Sequence, residues 1–214
     1  MHISEGVLSG PVLASGIALA IAGTAIGLKK LDYDRIPKAA ILSSAFFVAS
    51  LIHVPIGPSS VHLILNGIVG LLLGWAAFPA ILVALLLQGI LFQFGGITTL
   101  GVNTVIMALP AVICYGLFGG LIHHRNAVMA TCAAFVCGAL SVFLSGLIVA
   151  LSLMFTGEGF SEVATAVVIA HLPVMIIEGV ISAFCIRFLK KVQPEMLPSG
   201  SGLLHNSPLQ TSGK

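Results

Sequence analysis

Apolar residues in this chain form long continuous stretches, and short polar or glycine- and proline-rich connections separate them. Each stretch is about 16 to 28 residues long, which brackets the ~20 residues that a helix needs to cross a bilayer. None of them shows the weak alternating pattern of a membrane β-barrel. The pattern therefore predicts an all-α integral membrane protein with a bundle of about seven transmembrane helices. The predicted spans are 12–28, 39–54, 62–78, 79–94, 102–122, 127–155 and 163–189.

Composition supports a membrane protein independently. Hydrophobic residues make up 58% of the 214 residues and charged residues only 7%, whereas soluble domains carry roughly 25% charged residues. So few charges cannot cover a surface that faces water. The net charge of +2 comes from basic residues at helix ends and gives no sign of a nucleic-acid partner.

The basic residues also predict an orientation. They cluster after the first, fifth and seventh apolar stretches, and basic loops face the cytoplasm. The N-terminus is therefore expected outside and the C-terminus inside. We predict a transmembrane metal-binding domain over residues 1–192 and a disordered cytoplasmic tail over residues 193–214, where Pro, Ser, Gly and Gln accumulate.

The first apolar stretch does not resemble a secretory signal peptide, because its positive charges, Lys29 and Lys30, follow it instead of preceding it. We therefore expect the N-terminus to be retained, and the bulky His2 to prevent removal of Met1. Within this stretch Ala14, Ala18 and Ala22, with Gly23 and Gly27 beside them, form a ridge of small residues. Such a ridge suits close helix packing inside the bundle or docking of a partner subunit.

Met1 and His2 could together chelate a metal ion. The terminal amine and the His2 amide nitrogen would close a five-membered ring, and the amide and Nδ1 of the imidazole a six-membered ring. Three nitrogens joined in this way lie nearly in one plane, which suits Ni(II) or Cu(II). A histidine at position two also occurs by chance, so this pattern needs a further ligand to gain weight.

His62 could be that ligand. It follows a proline- and glycine-rich loop on the predicted outer side. It could supply a fourth nitrogen, or it could be an interfacial histidine that bonds a loop carbonyl. His53, at the outer end of the second span, could be a second-shell donor or a plain interfacial residue.

His171 and Glu178 are seven residues apart and share one face of the last predicted helix. Ionisable residues inside a span are costly and point to function by default. They could act as structural polar contacts, or in substrate binding or coupling. The sequence predicts His171, Asn103, Gln88 or Gln93 as partners of Glu178.

No phosphate-binding loop, HExxH or GxSxG motif is present, so we predict a transport protein and not an enzyme. Active transport would then draw its energy from partner subunits or from an ion gradient. The four cysteines lie inside apolar stretches and form no CxxC pair, so they are expected to pack between helices.

Several motifs together resemble the CbiM/NikM family, the substrate-binding (S) components of energy-coupling factor transporters for cobalt and nickel. The motifs are Met1-His2-Ile3-x-Glu5-Gly6, the loop from Pro55 to His62, the stretch Phe94-Gly95-Gly96-Ile97-Thr98-Thr99-Leu100-Gly101-Val102-Asn103, and His171-Leu172-Pro173 with Glu178-Gly179. The resemblance implies a seven-helix bundle whose N-terminal segment inserts into its middle. It also implies that Ni(II) or Co(II) is the transported substrate and that no organic cofactor is bound.

The same resemblance implies the site and the partners. The metal would be held by the Met1 amine, the His2 amide and imidazole, and His62. From their position and polarity, and not from the resemblance, we expect His53, Ser60, Asn103, His171 and Glu178 to support these ligands or to take part in coupling. Expected partners are a membrane T component (CbiQ/NikQ-like), ATPases (CbiO/NikO-like) and a small membrane subunit (CbiN/NikN- or NikL-like), in a bacterial or archaeal plasma membrane. The alternative is a stand-alone proton-coupled carrier that uses Glu178 and His171 as its relay.

Overall fold

The computed structural model describes residues 1–51, 53–56, 59–157, 159 and 161–197, and for residues 53–56 and 59–61 it describes the backbone alone. The protein is mostly helical. Its helices are α1 (Gly10–Lys29), α2 (Ile36–Ala49), α3 (Asn66–Leu73), α4 (Ala77–Phe92), α5 (Leu100–Phe118), α6 (Ala127–Met154) and α7 (Ser161–Val192). Strands β1 (His53–Ile56) and β2 (Ser59–His62) pair antiparallel.

Five helical segments in the described part of the chain are long and apolar enough to cross a membrane. They are α1, α5, α6, α7 and the segment Asn66–Phe92, which joins α3 to α4 through a 3-10 turn at Gly74–Ala76. The α2 helix has 14 residues and α3 has eight. The helical membrane class is thus confirmed, while a count of seven spans and the orientation of the termini stay predictions.

The short α3 helix lies at the centre of the bundle, and all of its residues are buried. Its glycines allow other backbones to approach closely. A Cβ atom on Gly70 would lie 2.2 Å from the carbonyl oxygen of Ala111 in α5, and one on Gly67 would lie 2.7 Å from Cα of Gly138 in α6. The helix is therefore enclosed by protein, and its two ends have to find hydrogen-bond partners without water.

The region before α3 differs from the sequence prediction. Residues 53–61 are predicted as a loop and His62 as the first residue of a helix, but His62 ends strand β2 and α3 begins four residues later. Leu65, which precedes α3, has a φ of 55°, so the chain turns sharply there. Both strands are edge strands, where a proline such as Pro55 is tolerated. Helix α2 likewise ends at Ala49, before the predicted end at residue 54.

Helix α1 packs on the bundle through the glycines of the predicted ridge and not through its alanines. Its buried residues are Gly16, Ala20, Gly23 and Gly27. A Cβ atom on Gly23 would lie 2.4 Å from the Phe78 ring, so glycine permits an approach that alanine would block. Ala14, Ala18 and Ala22 lie on the exposed side of α1. The prediction that the ridge packs inside the bundle is therefore confirmed for Gly23 and Gly27 and wrong for the three alanines, for which partner docking stays a prediction.

The predicted tail is described only at its beginning. Pro194–Met196 form a 3-10 turn, and Leu197 is buried. Residues 198–214 lie outside the described residues, so the prediction of a disordered tail is not tested there.

Candidate metal-binding site at the N-terminus

The first three residues are buried inside the protein. Asn103 of α5 holds them in place: the Ile3 N–H donates to its Oδ1 at 2.9 Å, and its Nδ2 donates to the Ile3 carbonyl at 3.1 Å. The amide side chain thus pairs with both main-chain groups of Ile3, as a neighbouring strand would. Asn103 therefore supports the N-terminal segment. It does not bond to Glu178, although the sequence predicts it as a partner of that residue.

A second contact holds the segment where it enters the protein. The Glu5 N–H donates to the Gly95 carbonyl at 3.0 Å, and the Thr98 N–H donates to Oε1 of Glu5 at 3.0 Å. The hydrogen bond from Thr98 lowers the pKa of the Glu5 carboxyl. Gly96 has a φ of 135°, and a Cβ atom there would lie 1.9 Å from Cγ of Glu5. Glycine at this position gives the glutamate room to pass.

Nitrogen atoms of Met1, His2 and His62 converge in this buried segment. The Met1 amine contacts Nε2 of His62, and Nδ1 of His2 lies 3.1 Å from the same Nε2. The two imidazole rings are 4.7 Å apart, centre to centre. Strand β2 delivers His62 to this point at its last residue, and the inserted N-terminal segment delivers the other two.

The contacts of the other ring nitrogen of His2 and of His62 indicate which nitrogen of each imidazole carries the proton. Nε2 of His2 lies 2.8 Å from Oε1 of Gln88, and Nδ1 of His62 lies 2.8 Å from the Leu63 carbonyl. Because both partners are oxygen acceptors, we assign the ring protons to these two nitrogens. Nδ1 of His2 and Nε2 of His62 then face each other with lone pairs. The Met1 amine contacts the same Nε2, and a cation placed between these nitrogens would be ligated by both rings.

Gln88 is a supporting residue that the sequence analysis missed in this role. It is buried in α4, where its Nε2 donates to the Phe47 carbonyl at 3.2 Å and also contacts Oγ of Ser50. Its amide oxygen is thereby aimed at His2. The sequence signal is a glutamine inside an otherwise apolar helix, but the sequence predicts it as a partner of Glu178.

Burial also changes the titration of two of these groups. It lowers the pKa of the Met1 amine well below its ordinary value of 8.0. It also lowers the pKa of the His62 imidazole well below 6.5, and the amine, His2 and His171 lower it further. Burial therefore favours the unprotonated form of both groups, which is the form that binds a metal ion.

The other predicted residues lie elsewhere. The backbone of His53 pairs with that of His62, and the backbone of Ser60 pairs with that of Pro55. The side chains of His53 and Ser60 lie outside the described part of the structure, so their second-shell roles stay predictions.

His171 and Glu178 are buried on one face of α7, as the sequence predicts, but they bond to different groups. Nδ1 of His171 donates to the Val167 carbonyl at 2.6 Å. Oε1 of Glu178 accepts hydrogen bonds from the N–H groups of Ile64 and Leu65 at 2.5 and 2.8 Å. The side-chain partners predicted for Glu178 are therefore wrong. The end of a buried helix supplies main-chain donors that a sequence pattern does not reveal.

Among the residues that the structure describes, no three His, Cys, Asp or Glu side chains lie together in a metal-binding group. The cluster at the N-terminus contains only two such side chains, His2 and His62. Its amine, and the His2 amide beside it, belong to the main chain. Two of the nitrogen atoms that could bind a metal ion here therefore come from the main chain, and the others come from the two histidine side chains.

Comparison with known proteins gives the family. Residues 2–196 match the CbiM family, described as the cobalt uptake substrate-specific transmembrane region. The chain is 45% identical over 199 residues to a putative metal transport protein of Haemophilus influenzae, covering 92% of this chain and 97% of that protein. It is 30% identical over 221 residues to the fused nickel transport protein NikMN of Rhodobacter capsulatus, covering 92% of this chain and 64% of that protein.

The fold comparison agrees. The crystal structure of a truncated transition metal transporter superimposes with a TM-score of 0.70 at 25% identity, covering 92% of this chain and all of that one. The family match spans nearly the whole chain, from the buried N-terminal histidine to the end of the described helices. The chain therefore belongs to the CbiM family and is a multi-pass membrane protein of cobalt and nickel transport.

Proposed function

We propose that this chain is the substrate-binding membrane subunit (S component) of an ATP-driven energy-coupling factor importer for Ni(II) and/or Co(II). It takes the ion from outside a bacterial or archaeal plasma membrane into an all-nitrogen site formed by Met1, His2 and His62. The observation that carries this proposal is the meeting of three nitrogens from these residues in a buried pocket.

The position of His62 fits a square of four nitrogens. The Met1 amine, the His2 amide and Nδ1 of His2 occupy three corners in that order, because the chelate rings join them through the amide. The fourth corner then neighbours the amine and Nδ1. Nε2 of His62 contacts both of these atoms. Its 3.1 Å distance from Nδ1 is close to the about 2.8 Å between adjacent ligands of an ion with metal–nitrogen bonds of about 2 Å.

The same ligand set accounts for selection of the ion. Four nitrogens in a plane suit an ion with a preference for square-planar coordination, as Ni(II) has. Loss of the amide proton on binding reduces the charge that enters the low-dielectric bundle. Ions that cannot drive this deprotonation are selected against. Ni(II) and Co(II) are both compatible with the proposal.

Transport requires partners in this proposal. A T component of the CbiQ/NikQ type and ATPases of the CbiO/NikO type supply the energy, and a small subunit of the CbiN/NikN or NikL type assembles with the chain. The relative named NikMN is a fused protein of which this chain covers 64%, which supports a role for a further segment in the complete system. The exposed ridge of Ala14, Ala18 and Ala22 supports close helix docking on α1.

An uptake assay tests this function. Cells without other nickel uptake receive the chain alone, the chain with its partner subunits, or the same set with an ATPase inactivated at its ATP-binding lysine. We expect Ni(II) or Co(II) accumulation only with active ATPases. Equal uptake by the chain alone, abolished by a proton uncoupler, would instead establish the stand-alone carrier. The separation of His171 from Glu178 by about 10.5 Å along α7 disfavours that carrier.

A further inference from the structure

All residues of helix α3 are buried. A helix leaves its first N–H groups without partners inside the helix. Leu65, at the N-cap position of α3, gives no side-chain cap, and the helix is enclosed on all sides. Its free N–H groups therefore need an acceptor from another part of the protein.

Glu178 of α7 supplies an acceptor immediately before α3, at the N-cap residue and the residue that precedes it. Its Oε1 accepts hydrogen bonds from the N–H groups of both Ile64 and Leu65. A carboxylate is also the group that the positive end of a helix favours. Small residues allow α7 to come this close: a Cβ atom on Gly138 of α6 would lie 2.6 Å from the Glu178 carbonyl oxygen.

Arg35 binds the opposite end of the same helix. Its Nη2 donates to the carbonyls of Leu72 and Leu73 at 3.5 and 3.3 Å. The positive group thus lies at the C-terminal end of α3, where a cation is favoured. Both Glu178 and Arg35 bind main-chain groups at an end of α3, but only Glu178 lies beside the segment that contains His62.

A single peptide group connects Glu178 to His62. The carbonyl of Leu63 accepts the hydrogen bond from Nδ1 of His62 at 2.8 Å. The N–H of Ile64, which belongs to the same planar peptide unit, donates to Oε1 of Glu178 at 2.5 Å. The carboxylate therefore fixes the plane and the direction of the carbonyl that orients the imidazole ring. Hydrogen bonds in such a chain also polarise one another.

We propose that Glu178 is a positioning residue for the metal ligand His62, acting through the peptide between Leu63 and Ile64. It sets the tautomer and the direction of the imidazole, so that Nε2 presents its lone pair to the ion. This inference rests on the proposed function, because it concerns the same metal site.

The orientation of the peptide between Leu63 and Ile64 depends on the position of the acceptor oxygen Oε1. Oε1 accepts both hydrogen bonds, while Oε2 has no hydrogen-bond partner among the described residues. A glutamine can place its amide oxygen where Oε1 lies, and its NH₂ group would then occupy the site of Oε2, where no described donor opposes it. Glu178→Gln should therefore preserve the position of His62.

Ni(II) titration of the purified full chain, with its native N-terminus, tests the inference through four variants. Glu178→Leu removes the acceptor, and Glu178→Asp keeps the charge but withdraws the oxygen by one methylene group. Glu178→Gln keeps the acceptor. Arg35→Met removes the other cap of α3 and is the matched control for loss of helix stability.

We expect Glu178→Leu and Glu178→Asp to weaken Ni(II) binding by about 10- to 100-fold, the usual effect of losing an outer-shell partner, and to shift the visible absorption of the bound ion. Glu178→Gln and Arg35→Met should bind as the unaltered protein does. If Glu178→Leu does not fold, Glu178→Asp decides alone. Unchanged binding by Glu178→Asp, equal loss in Arg35→Met, or equal loss in Glu178→Gln would each overturn the inference. Absence of Ni(II) binding in the unaltered protein would contradict the proposed function instead.

Discussion

The hydrogen bond between His2 and Gln88 provides a sharp test of how the site is prepared for metal. Gln88→Leu replaces a buried amide in α4 by an apolar side chain of similar size. It removes the oxygen that accepts the Nε2 proton of His2 at 2.8 Å. The N-terminal segment keeps its contacts with Asn103 and with the loop at Gly95. The substitution therefore affects which nitrogen of the His2 imidazole carries the proton, and it leaves the contacts of the segment intact.

The size of the effect follows from the two positions open to the ring proton. In the unaltered protein, the bond to Gln88 favours the proton on Nε2 by about 1 kcal/mol. In the variant this bond is lost, and a proton on Nδ1 can instead donate to Nε2 of His62, 3.1 Å away, which gains about 1 kcal/mol. The lost bond to Gln88 is missing from the free and the metal-bound variant alike and therefore cancels, whereas the metal has to displace the proton on Nδ1. The cost is thus about 1 kcal/mol, or about fivefold in affinity.

The assay is calorimetric titration with Ni(II), and the control is Gln93→Leu. Gln93 lies five residues further along the chain and is exposed, so the same substitution there should leave the affinity unchanged. Equal affinity of Gln88→Leu and the unaltered protein, with both folded, would refute the reasoning that Gln88 sets the state of His2.

Two further predictions use other contacts of the site. Burial lowers the pKa of the Met1 amine and of His62 in the folded chain. As the pH falls, the unfolded chain therefore protonates its amine near pH 8.0 and this histidine near pH 6.5, whereas the folded chain protonates them only at lower pH. Stability without metal should thus be complete above pH 8.0 and fall as the pH drops through 8.0 and then through 6.5; an unfolding temperature that stays constant or rises on acidification would contradict this. Gly96→Ala should weaken Ni(II) binding about tenfold or more, because a Cβ atom would overlap Glu5 and backbone strain of about 1–3 kcal/mol would displace the segment. Gly116→Ala, where the added Cβ meets nothing within 4 Å, is the control, and equal affinities of the two variants would count against a fixed N-terminal segment.

Much of the helical architecture is predictable from the sequence because long apolar stretches carry the signal over many residues. The first span is predicted over residues 12–28 and is observed as Gly10–Lys29. The region from residue 50 to residue 65 is not predictable in this way. Its proline and glycine residues indicate a break in the helices, but they do not distinguish a loop from the antiparallel hairpin that ends at His62.

The same contrast holds at the site. Met1 and His2 can be selected from the sequence because an adjacent amine, amide and imidazole describe a chelate, whereas the resemblance to the CbiM/NikM family is what implies His62. The structure brings nitrogens of all three residues together. The roles of Gln88 and Glu178 depend on contacts with residues 86 and 114 positions away. A buried polar residue in a helix signals that some partner exists, but the packing of the whole bundle determines which one.

The most direct test of the account is titration of the purified protein with Ni(II), Co(II), Cu(II) and Zn(II), with and without one residue added before Met1. The added residue turns the terminal amine into a peptide amide and lengthens a segment that is already buried. We expect the native protein to bind one Ni(II) or Co(II) ion tightly, and the extended protein to lose this binding while it remains folded. Tight binding of the same ion by the folded, extended protein would contradict the central claim that the Met1 amine is a ligand.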